Sequence, residues 1–260
     1  MIRVAQEYLP QERQEQILAV LRRDGRVVAQ ELAVFFGVSE DSIRRDLREM
    51  AANGLCRRVY GGALLPSPEI MSLTERMAVP NEAQTILAGY AAELVQPGQM
   101  VLLDAASTNV EIARALRGKS MTVVTNSPAV AVEVAGVPDT NLVLIGGKVD
   151  ARSGGATGSE ALSQLELIYP KTCIVGACAI DPETGIWGMD SEESTFKRAM
   201  IRASESVVIV ATDDIIGARG NFHIARLEEV DHLVISSAVP PEVVARLASH
   251  QAQVHCVKTK

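Results

Sequence analysis

The sequence predicts two parts of different fold class: a small helical domain that ends in a hairpin, and a larger α/β domain with a mainly parallel sheet. Three short helical patterns fill most of residues 1–64. From about residue 81, helical patterns alternate with short apolar strands, which is typical of a parallel sheet. Between them, Pro66 and Pro68 keep the chain extended and exclude a helix. We therefore expect domains at 1–64 and 73–260, joined by a linker at 65–72.

The composition excludes several classes of protein. The chain has 260 residues, of which 47% are apolar, an ordinary value for a packed core. Its apolar runs, such as residues 207–211, are far shorter than the roughly 20 residues that span a bilayer. Glu7, Glu12 and Glu15 interrupt the segment where a signal peptide needs an apolar run. We expect a cytoplasmic protein with no membrane partner.

The cysteines and histidines give no sign of a metal site or a disulfide framework. The four cysteines are widely separated, without a C-x-x-C motif, and the four histidines have no paired ligand spacing. We expect reduced thiols in a packed core, no metal and no cofactor. The cysteines are Cys56, Cys173, Cys178 and Cys256.

Charge is distributed unevenly along the chain. The net charge is −7, but residues 1–66 carry ten Lys and Arg against nine Asp and Glu, whereas the remainder carries 15 against 23. Five arginines lie between Arg44 and Arg58. This asymmetry indicates that the two parts have different partners.

The first part has the pattern of a helix-turn-helix. The periodicity predicts helices at Gln11 to Arg23, Ala29 to Phe36 and Glu40 to Ala52, with Ser39 as the N-cap of the third. Ala33, Gly37 and Ile43 follow the spacing of two helices that touch through a tight turn. The third helix is therefore a candidate recognition helix.

On this third helix, apolar and basic residues occupy opposite faces. Such a helix fits the DNA major groove, where arginines bond guanine edges and hydroxyls reach bases or phosphates. The alternative is an ordinary solvated face. The segment after the helix alternates around Gly61 and Gly62, which predicts a wing that places two further arginines on phosphates. The candidate contacts with double-stranded DNA are Ser39, Ser42, Arg44, Arg45, Arg48, Arg57 and Arg58.

In the second part, polar residues follow three predicted strands. Parallel sheets bind ligands at the carboxyl ends of their strands. The segments 104–109 and 125–128 each lead from a strand into a helix and offer N–H groups and hydroxyls to an anion. Gly147 and Lys148 follow a third strand. Each segment alone is weak evidence, because capped helix starts occur in every α/β protein.

The same residues resemble a known family. The string GVSEDSIRRDLREMAANGLCRRVYGGAL resembles the winged helix-turn-helix of the DeoR family of bacterial transcription regulators. LLDAASTNVEIARAL, MTVVTNSPAVA, LIGGKVDARSGGATGSEA and GIWGMDSEESTFKRAMI resemble its C-terminal effector domain, whose fold is related to pentose phosphate isomerases and CoA transferases. The resemblance implies a sensor of a phosphorylated sugar. It places in the effector site Asp104, Ser107, Thr108, Asn109, Thr125, Asn126, Ser127, Glu193 and Lys197.

Several residues depart from the family pattern. Ala105 and Ala106 stand where the family has Ser-Gly, and Asp190 and Asp214 are acidic residues where the family has none, while a family lysine is lost. The site is therefore expected to be less cationic, with Asp190 among its residues. Glu193 and Lys197 are four positions apart, a spacing that also suits a plain surface ion pair.

Three functions fit these observations. The leading one is a transcription regulator, in this family most often a repressor of carbohydrate metabolism, released from operator DNA by a metabolite. Because one small domain with little net charge binds DNA weakly, we expect a homodimer or homotetramer assembled through residues 73–260. The rival is a sugar phosphate isomerase with an appended DNA-binding module, but Cys178 stands where the isomerase motif would supply an acid. The third is a structural DNA binder without a ligand.

Overall fold

The structure is a computed structural model that describes residues 8–52, 55–64, 71–79 and 81–259. The chain divides into two compact units, Met1–Met71 and Ser72–Lys260. Most of the expected linker, residues 65–70, lies outside the described residues. Among the residues described, no helix is long and apolar enough to cross a membrane.

The first unit combines three helices with a three-stranded antiparallel sheet in the order β1-β3-β2. The second and third helices have the predicted bounds, and the first begins one residue earlier than predicted. The first strand was not predicted, because its three residues are too few to show a period. The elements are α1 Pro10–Asp24, β1 Arg26–Val28, α2 Ala29–Phe36, α3 Glu40–Ala52, β2 Arg57–Val59 and β3 Gly62–Leu64.

The core of this unit forms where the three helices meet. Ile17 and Leu21 of α1 pack with Ile43, Leu47 and Met50 of α3, and all five are buried. The buried positions of α3 recur with the helical period. The sequence therefore predicts which face of α3 turns toward the core. The opposite face of α3 is left to solvent.

The second unit is built on a seven-stranded sheet in the order β13-β12-β10-β7-β4-β5-β6, in which every neighbouring pair is parallel. This confirms the predicted α/β class. The strands are β4 Met100–Leu103, β5 Met121–Thr125, β6 Thr140–Leu144, β7 Thr172–Gly176, β10 Ser206–Ala211, β12 His232–Ser236 and β13 Gln253–Val257.

Helices cover both faces of this sheet. Side chains alternate along each strand, so Val101 and Leu103 face one layer while Leu102 between them faces the other. The first layer contains α5 Glu82–Glu93, α6 Ser107–Ala115 and α7 Pro128–Val134. The second contains α8 Gly158–Leu165, α9 Ser191–Ala203 and α10 Pro241–Ala248.

Two features of this unit were not predicted. One is a short helix, α4 Leu73–Ala78, at the start of the unit. The other is a small antiparallel sheet in the order β11-β9-β8, formed by β8 Ala179–Asp181, β9 Gly185–Gly188 and β11 Phe222–Ala225. These segments have only three to six residues each, too few for a periodic pattern to distinguish them from loops.

All four cysteines are free thiols, but they are not all in the core. Cys56 and Cys173 are buried, and burial raises the pKa of Cys173 to about 12. Cys178 is half-buried and Cys256 on β13 is exposed. The expectation of a wholly buried set was therefore wrong for these two. Cys256 is exposed because β13 is an edge strand, and Cys178 lies in the loop between β7 and β8.

Candidate functional site

The exposed face of α3 carries the basic residues that the sequence singled out. Arg44, Arg45 and Arg48 are exposed, on the side of the helix away from buried Ile43 and Leu47. Arg44 lies 2.7 Å from Glu40 and 3.6 Å from Asp41, measured between guanidinium nitrogens and carboxylate oxygens. Among the described residues, Arg45 and Arg48 have no ion-pair partner. The helix therefore presents a cationic face to solvent.

The two serines at the start of α3 act together. The N–H group of Ser42 donates to the hydroxyl oxygen of Ser39 over 3.2 Å, so Ser39 caps the helix as expected. The two hydroxyl oxygens are 2.9 Å apart. Ser39 is exposed and Ser42 is half-buried, so both hydroxyls remain accessible to a phosphate or a base edge.

The hairpin of β2 and β3 forms the predicted wing beside α3. Arg58 is exposed, and together with Arg44 it lines a small cleft between α3 and the hairpin. Gly62 has no room for a side chain, since a Cβ there would lie 2.0 Å from the carbonyl oxygen of Val27. This close approach of β3 to β1 holds the wing in place. Arg57 lies in β2, but its side chain is outside what the structure describes.

A buried ion pair positions α3, and the sequence did not reveal it. Arg13 of α1 donates through Nε to Oδ2 of Asp46 over 2.6 Å and through Nη2 to Oδ1 over 3.2 Å. Both residues are buried. The available signal was an acidic residue next to Leu47, inside the apolar face of the helix.

In the second unit, three neighbouring strands bring the predicted effector residues together. The sheet order places β4 between β7 and β5, and their carboxyl ends lead to Asp104, Gly176 and Asn126 respectively. Because the strands are parallel, these ends lie at the same edge of the sheet. The residues predicted at the ends of β4 and β5 therefore lie at one edge of the sheet, next to the end of β7.

Asp104 is the centre of this edge. Asp104 is only 1% exposed. Its carboxylate accepts hydrogen bonds from the N–H groups of Ala106 over 3.1 Å and of Gly176 over 3.2 Å. Burial raises the pKa of Asp104, while the charge of Lys197 opposes that rise. The hydrogen bonds from Ala106 and Gly176 hold the carboxylate in place.

Lys197 of α9 completes a buried charge network. Its ammonium donates to the carbonyl oxygen of Gly176 over 2.7 Å and lies 2.7 Å from Glu193 and 3.3 Å from Asp104. Burial disfavours its charge, but the carboxylates of Glu193 and Asp104 outweigh burial and raise its pKa. Lys197 is only 3% exposed. The interpretation of this pair as a plain surface ion pair is therefore wrong.

The start of α6 lies next to this network. Gln84 of α5 donates from Nε2 to the hydroxyls of Ser107 and Thr108 over 2.9 and 3.0 Å, and Asn109 donates to the carbonyl oxygen of Ile174 over 2.8 Å. Ala106, the N-cap residue, has no side chain that could accept from the first turn. The N–H groups at this helix start are suited to an anion. Gln84 was missed because it precedes the motif by more than twenty residues.

The segment after β5 is also buried. The Ser127 N–H group donates to the hydroxyl of Thr125 over 3.0 Å, and the Ser127 hydroxyl caps α7, as expected. Asn126 donates from Nδ2 to the carbonyl oxygen of Ala156 over 2.7 Å. Its Oδ1 atom is buried and has no hydrogen-bond partner among the described residues. That oxygen is an acceptor suited to a ligand hydroxyl.

Gly147 and Lys148 do not join the network. Both are exposed after β6, and a Cβ at Gly147 would lie 3.7 Å from atoms of Glu160 in α8. In the part of the chain that the structure describes, neither residue contacts Asp104 or Lys197. Their place at the rim follows from the sheet order, because β6 is an edge strand.

Asp190 lies at the rim of the site and is engaged as a cap. Its Oδ1 atom accepts from the Glu193 N–H group over 2.9 Å, which starts α9. Arg152 lies 3.9 Å from Asp190 and 3.8 Å from Glu193, measured from Nη2 to a carboxylate oxygen. Asp214 is exposed in a separate turn. Arg152, which lies in the glycine-rich segment, was not predicted, and its positive charge offsets part of the expected loss of cationic character.

Comparison with known proteins identifies both units. Residues 13–69 match the family described as the DeoR-like helix-turn-helix domain, and residues 81–237 match the DeoR C terminal sensor domain. The chain belongs to the DeoR family of transcription regulators. This DeoR-family regulator is 30% identical over 244 residues to the glycerol-3-phosphate regulon repressor of Escherichia coli strain K12, covering 93% of this chain and 97% of the relative.

Other relatives are transcription regulators as well. The HTH-type transcriptional regulator GlpR of Haloferax volcanii is 34% identical over 227 residues, covering 86% of this chain and 88% of that one. The HTH-type transcriptional repressor GlcR of Bacillus subtilis strain 168 is 28% identical, covering 91% and 92%. Both kinds of domain and these relatives fit a DNA-binding regulator with a small-molecule sensor.

Solved structures resemble the chain more distantly. Ribose 5 phosphate isomerase A from Neisseria gonorrhoeae has a TM-score of 0.39 at 18% identity and covers 52% of each chain. eIF2B beta from Chaetomium thermophilum has a TM-score of 0.45 at 13% identity, covering 83% of this chain and 60% of that one. At these scores the likeness carries no functional argument.

Proposed function

We propose that this regulator binds operator DNA through α3 and the wing, and releases it when a phosphorylated sugar or a related metabolite occupies the site around Asp104 and Lys197. The observation that carries the proposal is the network of buried Asp104 and Lys197 with half-buried Glu193 at the carboxyl end of the sheet. Burying charged groups costs free energy, and such groups cluster at functional sites. This network therefore marks the place where we expect the ligand to bind.

The exposed face of α3 supports the DNA contacts. Arg45 and Arg48 extend from the side opposite the core, as a helix in the major groove requires. Arg58 on the wing is placed for a phosphate. Ser39, Ser42, Arg44 and Arg57 complete the proposed contact set.

The start of α6 supports a phosphorylated effector. Uncapped N–H groups at a helix start bind phosphate oxygens, and Arg152 adds a cation at the rim of the site. Asn126 offers a buried acceptor to a hydroxyl. The relative from Escherichia coli is named for glycerol-3-phosphate, which agrees with a phosphorylated ligand of this kind.

The regulator acts as a homodimer or homotetramer that bridges two half-sites of double-stranded DNA. A single winged domain buries limited area, and its net charge of about +1 gives weak attraction to phosphates. Two copies joined through residues 73–260 supply the missing affinity. Gel filtration at micromolar concentration checks this, and a purely monomeric elution contradicts it.

Sugar phosphate isomerisation does not suit the site. That reaction needs a carboxylate free to move a proton between carbons. Asp104 is bound by Ala106, Gly176 and Lys197, and the raised pKa of Lys197 keeps its amine from acting as a base. Cys178 supplies a thiol in place of an acid. Turnover of pentose or hexose phosphates by the purified protein would contradict this part of the proposal.

Thermal unfolding with a panel of phosphorylated sugars and their unphosphorylated counterparts tests the effector assignment. We expect at least one phosphorylated compound to raise the melting temperature, since a ligand that binds only the folded state stabilises it. The matched variant Lys197→Met should not respond. Equal stabilisation of the wild type by phosphorylated and unphosphorylated compounds would rule out a phosphate site.

A further inference from the structure

The helix α4 is the first element of the second unit, directly after the segment that joins the two units. It is well capped although it is short. Ser72 accepts from the Glu75 N–H group over 3.3 Å, and the Glu75 carboxylate accepts from the Ser72 N–H group over 2.6 Å. These bonds lower the pKa of Glu75. The start of α4 is therefore fixed by its own sequence.

The same helix is seated on the glycine-rich segment of the effector site. The Leu73 N–H group donates to the carbonyl oxygen of Arg152 over 2.8 Å. The Leu73 side chain is buried, and a Cβ at Gly154 would lie 2.4 Å from it. α4 also contacts α6, whose start is the proposed phosphate site. α4 thus lies between two segments that the effector would touch.

Arg76 lies on α4 one turn after Leu73, the residue that packs against the glycine-rich segment at Gly154. Burial alone would raise the pKa of Glu193, yet the charges of Lys197, Arg152 and Arg76 together lower it. Arg76 is half-buried and Arg152 is about a third exposed. Two guanidinium groups from different segments therefore influence one carboxylate at the rim of the site.

We propose that Arg76 and Arg152 bind the anionic group of the effector, and that Arg76 makes α4 the element through which the occupied site acts on the joining segment. The inference rests on the proposed function. A phosphate accepts paired hydrogen bonds from guanidinium groups, so it competes with Glu193 and Asp190 for Arg152, which lies 3.8 and 3.9 Å from them. When Arg76 turns toward the ligand, α4 moves with its side chain.

This arrangement satisfies the condition for coupling between two sites. A ligand shifts a conformational equilibrium only if it contacts the two states differently. By contacting Arg76, the effector interacts directly with α4. The chain that precedes α4 comes from the DNA-binding unit. Binding of DNA and of the effector then oppose one another by the same factor.

Titration of the full chain with inorganic phosphate tests the two arginines. Calorimetry at constant ionic strength, kept with sodium chloride, compares the wild type with Arg76→Gln and Arg152→Gln. We expect each substitution to weaken phosphate binding by about tenfold. Arg76→Lys keeps the charge and should restore most of the affinity. The matched control is Arg202→Gln, an exposed arginine in the last turn of α9, which should bind phosphate like the wild type.

The outcomes separate the inference from the proposed function. If the wild type binds no phosphate, the proposed phosphate site itself is contradicted. If the wild type binds phosphate and both glutamine variants bind it equally well, only the role of Arg76 and Arg152 is overturned. Melting temperatures without phosphate show whether each variant is folded. If Arg76→Gln does not fold, Arg76→Lys and Arg152→Gln still test the inference.

A second pair of variants tests the transmission through α4. Leu73→Ala removes the buried contact but keeps both arginines, whereas Met77→Ala changes an exposed side chain of the same helix. With an operator fragment selected from random DNA, phosphate should lower the affinity of the wild type and of Met77→Ala. Leu73→Ala should bind phosphate but lose this response. A response equal to the wild type would overturn the role of α4.

Discussion

Arg13 of α1 and Asp46 of α3 form a buried, two-pronged ion pair, with nitrogen to oxygen distances of 2.6 and 3.2 Å. The pair joins the first helix to the face of α3 opposite the exposed arginines. It therefore fixes the rotation of α3 about its own axis, and with it the direction in which Arg45 and Arg48 extend.

Removing one partner of this pair should destabilise the first unit strongly. Asp46→Ala leaves the guanidinium of Arg13 buried without its carboxylate, which typically costs about 3–5 kcal/mol. Asp41→Ala, at an exposed position of the same helix, should cost less than about 1 kcal/mol. Scanning calorimetry of the full chain measures both. Equal melting of the two variants would show that the buried pair does not stabilise this unit.

Substitutions of the arginines of α3 and of the wing should change DNA binding in different ways. Arg45→Ala should abolish the preference for operator over scrambled DNA, because a base contact is lost. Arg58→Ala should weaken binding to both sequences and reduce the slope of log affinity against log salt by about 1, because a phosphate contact is lost. Fluorescence anisotropy at several salt concentrations measures both effects. Unchanged sequence preference in Arg45→Ala would contradict the proposed orientation of α3.

The stability of Lys197→Met should depend on pH in a definite direction. Without the ammonium, Asp104 remains buried beside the half-buried Glu193, and burial together with the charge of Glu193 raises the folded pKa of Asp104 above the unfolded one. The folded variant binds more protons than the unfolded chain, so its stability falls as pH rises above about 4. In the wild type the pKa of Glu193 is lowered, so its contribution is lost as pH falls instead.

The free energies of unfolding at pH 5 and pH 8 check this sign. The destabilisation of Lys197→Met relative to the wild type should be larger at pH 8. If the destabilisation is the same at both pH values, the pKa of Asp104 does not depend on Lys197. Arg202→Gln serves as the control, since Arg202 is exposed and outside the network.

The sequence predicted those elements that have a period of their own. α2 and α3 have the predicted bounds because apolar residues recur along them, and Asp104 and Asn126 lie at the same edge because the parallel strands β4 and β5 end there. Arg13 and Asp46 are 33 positions apart, and nothing local pairs them. Arg76 was missed for the same reason, since α4 lies next to the site because it packs on the distant segment around Gly154.

Operator affinity measured with and without phosphorylated sugars tests the central claim most directly. The account predicts that the full chain prefers operator over scrambled DNA, and that at least one phosphorylated compound lowers the operator affinity by roughly 5- to 150-fold while its unphosphorylated counterpart does not. If the chain holds its operator equally tightly in the presence of every compound, or shows no sequence preference at all, the account is contradicted.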